Sequence, residues 1–93
     1  MRHLIAPLIA LALLAAPAQA ACYADYKAKQ DDPLRLHYGV IELSGDCDPT
    51  AAEAEIPGRI APDGWTLLTV LAVFDDTGLD ERRANAGDYY LRY

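Results

Sequence analysis

Beyond residue 20 the chain offers few side chains able to do chemistry. Apart from acids, bases, tyrosines, threonines and a glutamine it has one histidine (His37), one serine (Ser44), one asparagine (Asn85), two cysteines (Cys22 and Cys47) and no methionine. A serine–histidine nucleophile needs hydrogen-bond contact between the two groups. Seven residues of extended chain would hold Ser44 and His37 ~20 Å apart, so only a sharp bend would join them. No Gly-x-Ser-x-Gly, Gly-x-Gly-x-x-Gly, phosphate-loop glycine cluster or His-Glu-x-x-His is present. His37 could act as base for a cysteine thiolate, a role that oxidation of the cysteines removes. Its plainer reading is a half-exposed strand histidine opposite Lys27. Asp46, Asp48, Asp75, Asp76, Asp80 and Glu81 supply oxygens for Ca²⁺ or for a carboxylate pair. The run Asp75-Asp76-Thr77-Gly78-Leu79-Asp80-Glu81 does not match the ligand spacing of an EF-hand loop, and turn formation accounts for it. Arg82-Arg83 could clamp an anion, but Asp80 and Glu81 beside them make a self-neutralised loop. The inventory predicts no catalytic residue, no metal site and no cofactor.

The two cysteines have their own logic. An even count in an oxidising compartment favours a Cys22–Cys47 disulfide. Its loop of about 25 residues is worth ~3.5 kcal/mol in the chain-entropy picture, a large share for so small a domain. Lipidation of Cys22 is the competing reading. Lipid attachment favours Leu three residues earlier, where this chain has Gln19, and it would leave Cys47 without a partner. There is no Cys-x-x-Cys and no nearby histidine cluster, so a redox or metal role is disfavoured.

An oxidising compartment requires export, and residues 1–20 have the three parts of a secretory signal. Arg2 gives the positive start, and Leu4 to Ala16 an uncharged apolar stretch. Pro17 ends the helical tendency, and Ala18-Gln19-Ala20 sets small residues at −3 and −1 of a cleavage site after Ala20. A membrane anchor would need ~20 apolar residues. Fifteen of the first 20 residues are apolar, against 34 of the remaining 73. The chain thus divides into a cleaved signal, 1–20, and one domain, 21–93, which after cleavage has no stable membrane insertion. That domain carries seven Lys/Arg against fourteen Asp/Glu, and no basic run longer than Arg82-Arg83. Nucleic acid and anionic membrane are poor partners for it.

The elements follow from periodicity. Residues 22–30 alternate Cys22, Ala24, Tyr26, Ala28 against Tyr23, Asp25, Lys27, Lys29, which predicts a strand. Asp31-Asp32-Pro33 reads as a turn. Leu34, Leu36, Tyr38 and Val40 then share one face, with Gly39 read as a bulge that shifts the apolar phase to Ile41 and Leu43. In this hairpin Tyr26 and Tyr38 would face each other. Asp48 before Pro49 starts a helix over 49–61. Ala52, Ile56 and Ile60 form its buried stripe, and Pro57-Gly58 should kink or split it. Trp65 to Phe74 is the strongest strand, ~33 Å if straight, with both faces apolar. Thr77, with Asp80 three residues on, caps a short helical turn that Gly87 closes. Tyr89, Leu91 and Tyr93 alternate with Tyr90 and Arg92 as a last strand. The expectation is an α+β two-layer domain: about four antiparallel strands in the order β-β-α-β-β, one helix on one face.

The junction Asp63-Gly64-Trp65-Thr66-Leu67-Leu68, followed by a strand ending in tyrosines, resembles small bacterial domains of unknown function with a helix–Gly-Trp-x-Leu–strand core. The segments Cys22-Tyr-Ala-Asp-Tyr-Lys-Ala-Lys and Gly87-Asp-Tyr-Tyr-Leu-Arg-Tyr93 resemble uncharacterised exported proteins of alphaproteobacteria, over most of the domain. These resemblances imply a fold and a periplasmic or secreted location, and supply no catalytic residue. Pro57-Gly58 departs from the uninterrupted helix of the first family.

One helix covers one face of a four-stranded sheet, and an apolar second face in water is unusual for a monomer. Trp65, Leu68, Val70, Phe74, Tyr89, Tyr90 and Tyr93 therefore form the expected contact surface of a non-enzymatic interaction module. It would self-associate or bind an envelope protein. The six tyrosines allow another reading, a platform for glycan or a small ligand, although aromatics also pack naturally on sheets. An enzyme or enzyme inhibitor is the least favoured class.

Overall fold

A computed structural model describes residues 21–93, so the expected signal, with Ala18 and Ala20, lies outside the described residues. Strand β1 (Cys22–Gln30) pairs antiparallel with β2 (Arg35–Leu43) in unbroken register, from Cys22 opposite Leu43 to Gln30 opposite Arg35. Strand β3 (Thr66–Phe74) joins the other side of β1, giving a three-stranded antiparallel sheet in the order β2-β1-β3. Helix α1 (Pro49–Ile60) crosses between the two outer strands, and a shorter helix, α2 (Asp80–Ala86), follows β3.

Helix α1 starts as its sequence dictates. Asp48, in extended conformation, accepts a hydrogen bond from the Ala51 amide at 2.7 Å, and Pro49 occupies the first turn, where no amide is needed. Ala52, Ile56 and Ile60 are fully buried against the sheet. The expected split does not occur: the helix runs through Pro57 without a break. Pro57 and Gly58 face solvent, so the one missing backbone bond falls where water can replace it. A short 3₁₀ turn (Ala61–Asp63) and Gly64, at φ +84°, then reverse the chain into β3.

The inner face of the sheet carries Cys22, Ala24, Tyr26 and Ala28 of β1, and Ile41 and Leu43 of β2. Gly39 is not a bulge. It lies directly opposite Tyr26, and a Cβ there would stand 2.6 Å from the Tyr26 ring. The glycine makes room for the largest fully buried side chain. The pleat of β2 is therefore unbroken: residues 37, 39, 41 and 43 face inward, and 36, 38, 40 and 42 outward, so its apolar residues change face without a bulge. Tyr38 pairs with Lys27 and not with Tyr26, and His37 pairs with Ala28 and not with Lys27.

The bulges lie in β3 instead, where the register against β1 shifts twice. Leu67, Val70 and Val73 pair with the inward Ala28, Tyr26 and Ala24, while Leu68 and Leu71 are the extra residues. A spacing of three along the strand thus feeds the core.

The expected fourth strand is absent from the described residues. Gly87 (φ +53°) and Leu91 (φ +54°) turn the chain, which breaks the alternation a strand needs. The C-terminal segment makes one parallel bridge, Val40 to Tyr90, reinforced by the Leu91 amide donating to the Val40 carbonyl at 2.9 Å. It wraps the free edge of β2. Helix α2 lies on the outer face, through Arg82 to Asp25, whereas Tyr89 and Tyr93 reach the inner core. The architecture is a small α+β domain with three strands and two helices.

Candidate interaction surface

The outer face of the sheet has two halves. One is closed by the segment after β3. Asp75 caps that segment by accepting from the Thr77 amide at 3.0 Å, so Asp75 and not Thr77 is the cap. Arg82 of α2 reaches down to β1, donating from Nε to Asp25 Oδ2 at 2.9 Å, and its guanidinium lies 3.9 Å from the Phe74 ring centre. The Tyr38 hydroxyl donates to the same Asp25 oxygen at 2.8 Å. Burial first, then this hydrogen bond, push the Tyr38 phenol up to about 12. Asp25 is 6% exposed, and its other oxygen has no partner among the described residues. A buried carboxylate of this kind is tolerated only because a cation is bound to it.

The other half, towards the β1–β2 turn, has no cover among the described residues. Leu34 and Leu36 are each 66% exposed, and Leu68 51%; Leu71, at the second bulge, is 47% exposed. Lys27, Leu36, Tyr38 and Leu68 border a shallow depression of about 270 Å³ there, lined also by Ala28 and His37. Across the strands, Lys27 is flanked by Tyr38 and Thr69, and Lys29 by Leu36 and Thr66. Lys29 pairs at 3.2 Å with Asp31 of the turn, whereas Lys27 makes no ion pair among the described residues.

His37 belongs to the inner layer. It is 7% exposed, stacked 3.8 Å from Tyr89 and edge-on to Trp65 at 4.2 Å, so the half-exposed strand histidine is corrected to a buried one. Its Nε2 lies 3.0 Å from the Tyr26 hydroxyl, and Nδ1 has no partner. Assigning the proton to Nε2 leaves only a lone pair unmatched, which costs less than an orphaned N–H. Burial, aided by the nearby Arg92 charge, lowers its pKa to about 4. The imidazole is neutral at pH 7.

Ser44 is engaged elsewhere, at the far end of β2. Its amide and hydroxyl, the Gly45 amide and Arg59 all donate to the Glu55 carboxylate. Desolvation opposes ionisation of Glu55, but these hydrogen bonds together outweigh it and hold the pKa at about 2. The cluster clips α1 to the loop after β2. In the same loop Cys47 forms a disulfide with Cys22, with Cα atoms 5.7 Å apart. The cysteine pairing expected from the sequence is present.

Of the seven residues expected to form a contact surface, only Leu68 is exposed. Trp65 is buried in the core, with Val70, Tyr89 and Tyr93 packed around it on the inner side. Phe74 lies beneath Arg82, and Tyr90 beside Arg83. The seven do not form one patch. The tyrosines are likewise divided, Tyr23 and Tyr38 outward and Tyr26, Tyr89 and Tyr93 inward. Sequence reasoning missed the grouping of Lys27 and Lys29 with Leu36, Tyr38 and Leu68. The alternation of β1 and the run Leu34-x-Leu36-x-Tyr38 carry its signal, once the register is known.

Among the described residues, no three His, Cys, Asp or Glu side chains gather as a metal site, and no helix is long and apolar enough to cross a membrane. Comparisons of the chain with known protein families, with curated proteins and with solved structures return no match.

Proposed function

We propose that this chain is an exported, non-enzymatic module that holds another protein on the outer face of its sheet. One observation carries the reading: Leu36 and Leu68 stand exposed on one half of a face whose other half the fold closes with α2, and Leu34 is exposed in the adjoining turn. Leucines gathered around a depression, rather than scattered singly, are what a contact site displays. The disulfide is consistent with an oxidising compartment. We take that compartment to be the periplasm or the exterior, as the resemblance to exported alphaproteobacterial proteins implies. A lipid thioether at Cys22 is the minor alternative, since it needs the sulfur that Cys47 occupies.

Site-specific photocrosslinking in the exporting cell tests the reading. A photoreactive side chain at Leu36 or Leu68 should give a discrete protein adduct, and one at the exposed Glu53 of α1 should not. An adduct of twice the chain's mass would make the partner a second copy. No adduct at either leucine, or equal labelling at Glu53, rejects the docking face.

A further inference from the structure

The outward residues of β1 form a short charge code: Asp25, Lys27 and Lys29 in sequence along one face. At the first position the code is already answered. Helix α2 lies over that part of the face and brings Arg82 to Asp25 at 2.9 Å. At the next two positions nothing among the described residues lies above the lysines. Among the described residues Lys27 is exposed and makes no ion pair, and Lys29 pairs with Asp31 of the adjoining turn. Leu36 and Tyr38 on one side, and Leu68 on the other, flank these lysines with apolar surface.

We infer that the uncovered half of the outer face binds an acidic amphipathic segment of a partner protein, whose leucine-type side chains seat between Leu36 and Leu68 and whose carboxylates meet Lys27 and Lys29. The inference rests on the docking reading above and gives the partner its chemistry. Charge complementarity selects the occupant. Residues 21–93 have twice as many acids as bases, yet the outward side chains of β1 here are both lysines. A second copy presenting the same face about a two-fold axis would set Lys27 and Lys29 against their equivalents, which disfavours self-pairing. A helix is the form the fold itself uses on this face, and an amphipathic helix in an apolar groove is a recurrent mode of peptide recognition.

Two helical peptides with the same leucine face test it, one flanked by glutamates and the other by lysines. Each is titrated into the disulfide-bonded protein while backbone amide resonances are followed. The glutamate peptide should bind at least about tenfold more tightly, weaken as salt is raised, and shift the amides of Lys27, Lys29, Leu36 and Leu68. The double variant Lys27→Glu/Lys29→Glu, at surface positions that leave the amide spectrum dispersed, should reverse the preference. Equal affinities, a preference for the lysine peptide, or shifts confined to α1 or Tyr89–Tyr93 overturn the inference. Sedimentation of the protein with phosphatidylglycerol vesicles, without binding of the glutamate peptide, assigns the lysines to a lipid surface and also overturns it. Adducts at Leu36 and Leu68 without a peptide charge preference keep the docking face and reject the acidic partner. Absence of adducts rejects both.

Discussion

Acidification from pH 7 to pH 5 should destabilise this fold by about 1 kcal/mol through one side chain, His37. In the unfolded chain the imidazole takes up a proton near pH 6.5. In the folded chain burial, with Arg92 adding repulsion, delays protonation to about 4. The unfolded state therefore binds the proton first, so the stability contributed by neutral His37 is complete above pH 6.5, falls as the pH drops, and levels off near 4. Among the described residues no carboxylate contacts the ring, and Asp63 reaches the cluster only through the Tyr93 hydroxyl. Tyr26 faces it from β1, Trp65 from just before β3, and Tyr89, Tyr93 and the cationic Arg92 from the C-terminal segment. With the full separation of the two pKa values the loss at pH 5 would be about 2 kcal/mol. Tyr89 and Tyr93, which stack over the ring, are themselves only half-buried and Arg92 is exposed, and solvent screening there reduces this to about half.

The assay is urea unfolding at pH 7, 6 and 5 for the native chain and for His37→Phe. Phenylalanine keeps an aromatic ring against Tyr89 but does not titrate. It leaves the Tyr26 hydroxyl without its partner at every pH alike, so the variant starts lower at pH 7. The gap between the two proteins should then narrow by about 1 kcal/mol at pH 5, or roughly 4–8 °C in Tm for a domain of this size. Carboxylates such as Glu55, held at about 2, act in both proteins and cancel in the difference. Parallel stability curves, or a gap that widens towards pH 5, would refute a buried neutral histidine.

Three further outcomes follow from the packing. Gly39→Ala drives a methyl to 2.6 Å from the Tyr26 ring and should lower stability by about 2 kcal/mol in urea titration; a neutral result would show that Tyr26 can move aside. Arg82→Met leaves the Asp25 carboxylate buried without its cation and should cost about 3 kcal/mol, with part of the loss regained in the Asp25→Asn/Arg82→Met double variant. Full additivity of the two substitutions would contradict the pairing. Replacing both cysteines by alanine opens a loop of sequence separation 25 and should cost about 3.5 kcal/mol; an unchanged urea midpoint would deny the disulfide any structural role.

The elements legible in the sequence were those fixed by local chemistry. Asp48-Pro49 marks the start of α1, the spacing of Ala52, Ile56 and Ile60 marks its buried stripe, and the alternation from Cys22 marks β1. Where long-range packing decides, local reading failed in identifiable ways. Gly39 looks like a bulge because strand glycines often are, but its reason lies on the neighbouring strand, in the Tyr26 ring. Tyr89, Leu91 and Tyr93 have a strand's alternation, and only the positive φ at Gly87 and Leu91 turns them into a wrap around β2. Arg82 reads as part of a self-neutralised loop. It does meet Glu81, but the same guanidinium spans 57 positions of sequence to reach Asp25, a contact no local window contains. The candidate surface was hidden for the same reason. The two apolar faces of β3 were visible, but which leucines reach solvent depends on its bulges.

On the docking reading proposed above, those bulges bear on function as well as on fold. With Val70 inward, a straight β3 would also turn Leu68 and Ala72 into the core. Two register shifts place Leu67, Val70 and Val73 there instead and leave Leu68 and Leu71 in water. Each bulge disrupts the ladder to β1 locally, and each leaves an exposed leucine that returns nothing to the isolated chain's stability. Bulges also twist an edge strand away from pairing with other chains. The arrangement therefore weakens the open edge of β3 as a contact while strengthening its outer face. Leu68 stands across Lys27 from Tyr38 and Leu36, so the bulge that exposes it also builds one wall of the depression. A stability-driven sequence would place a polar residue there. Leucine at the bulge is accounted for if the surface it completes is covered by a partner.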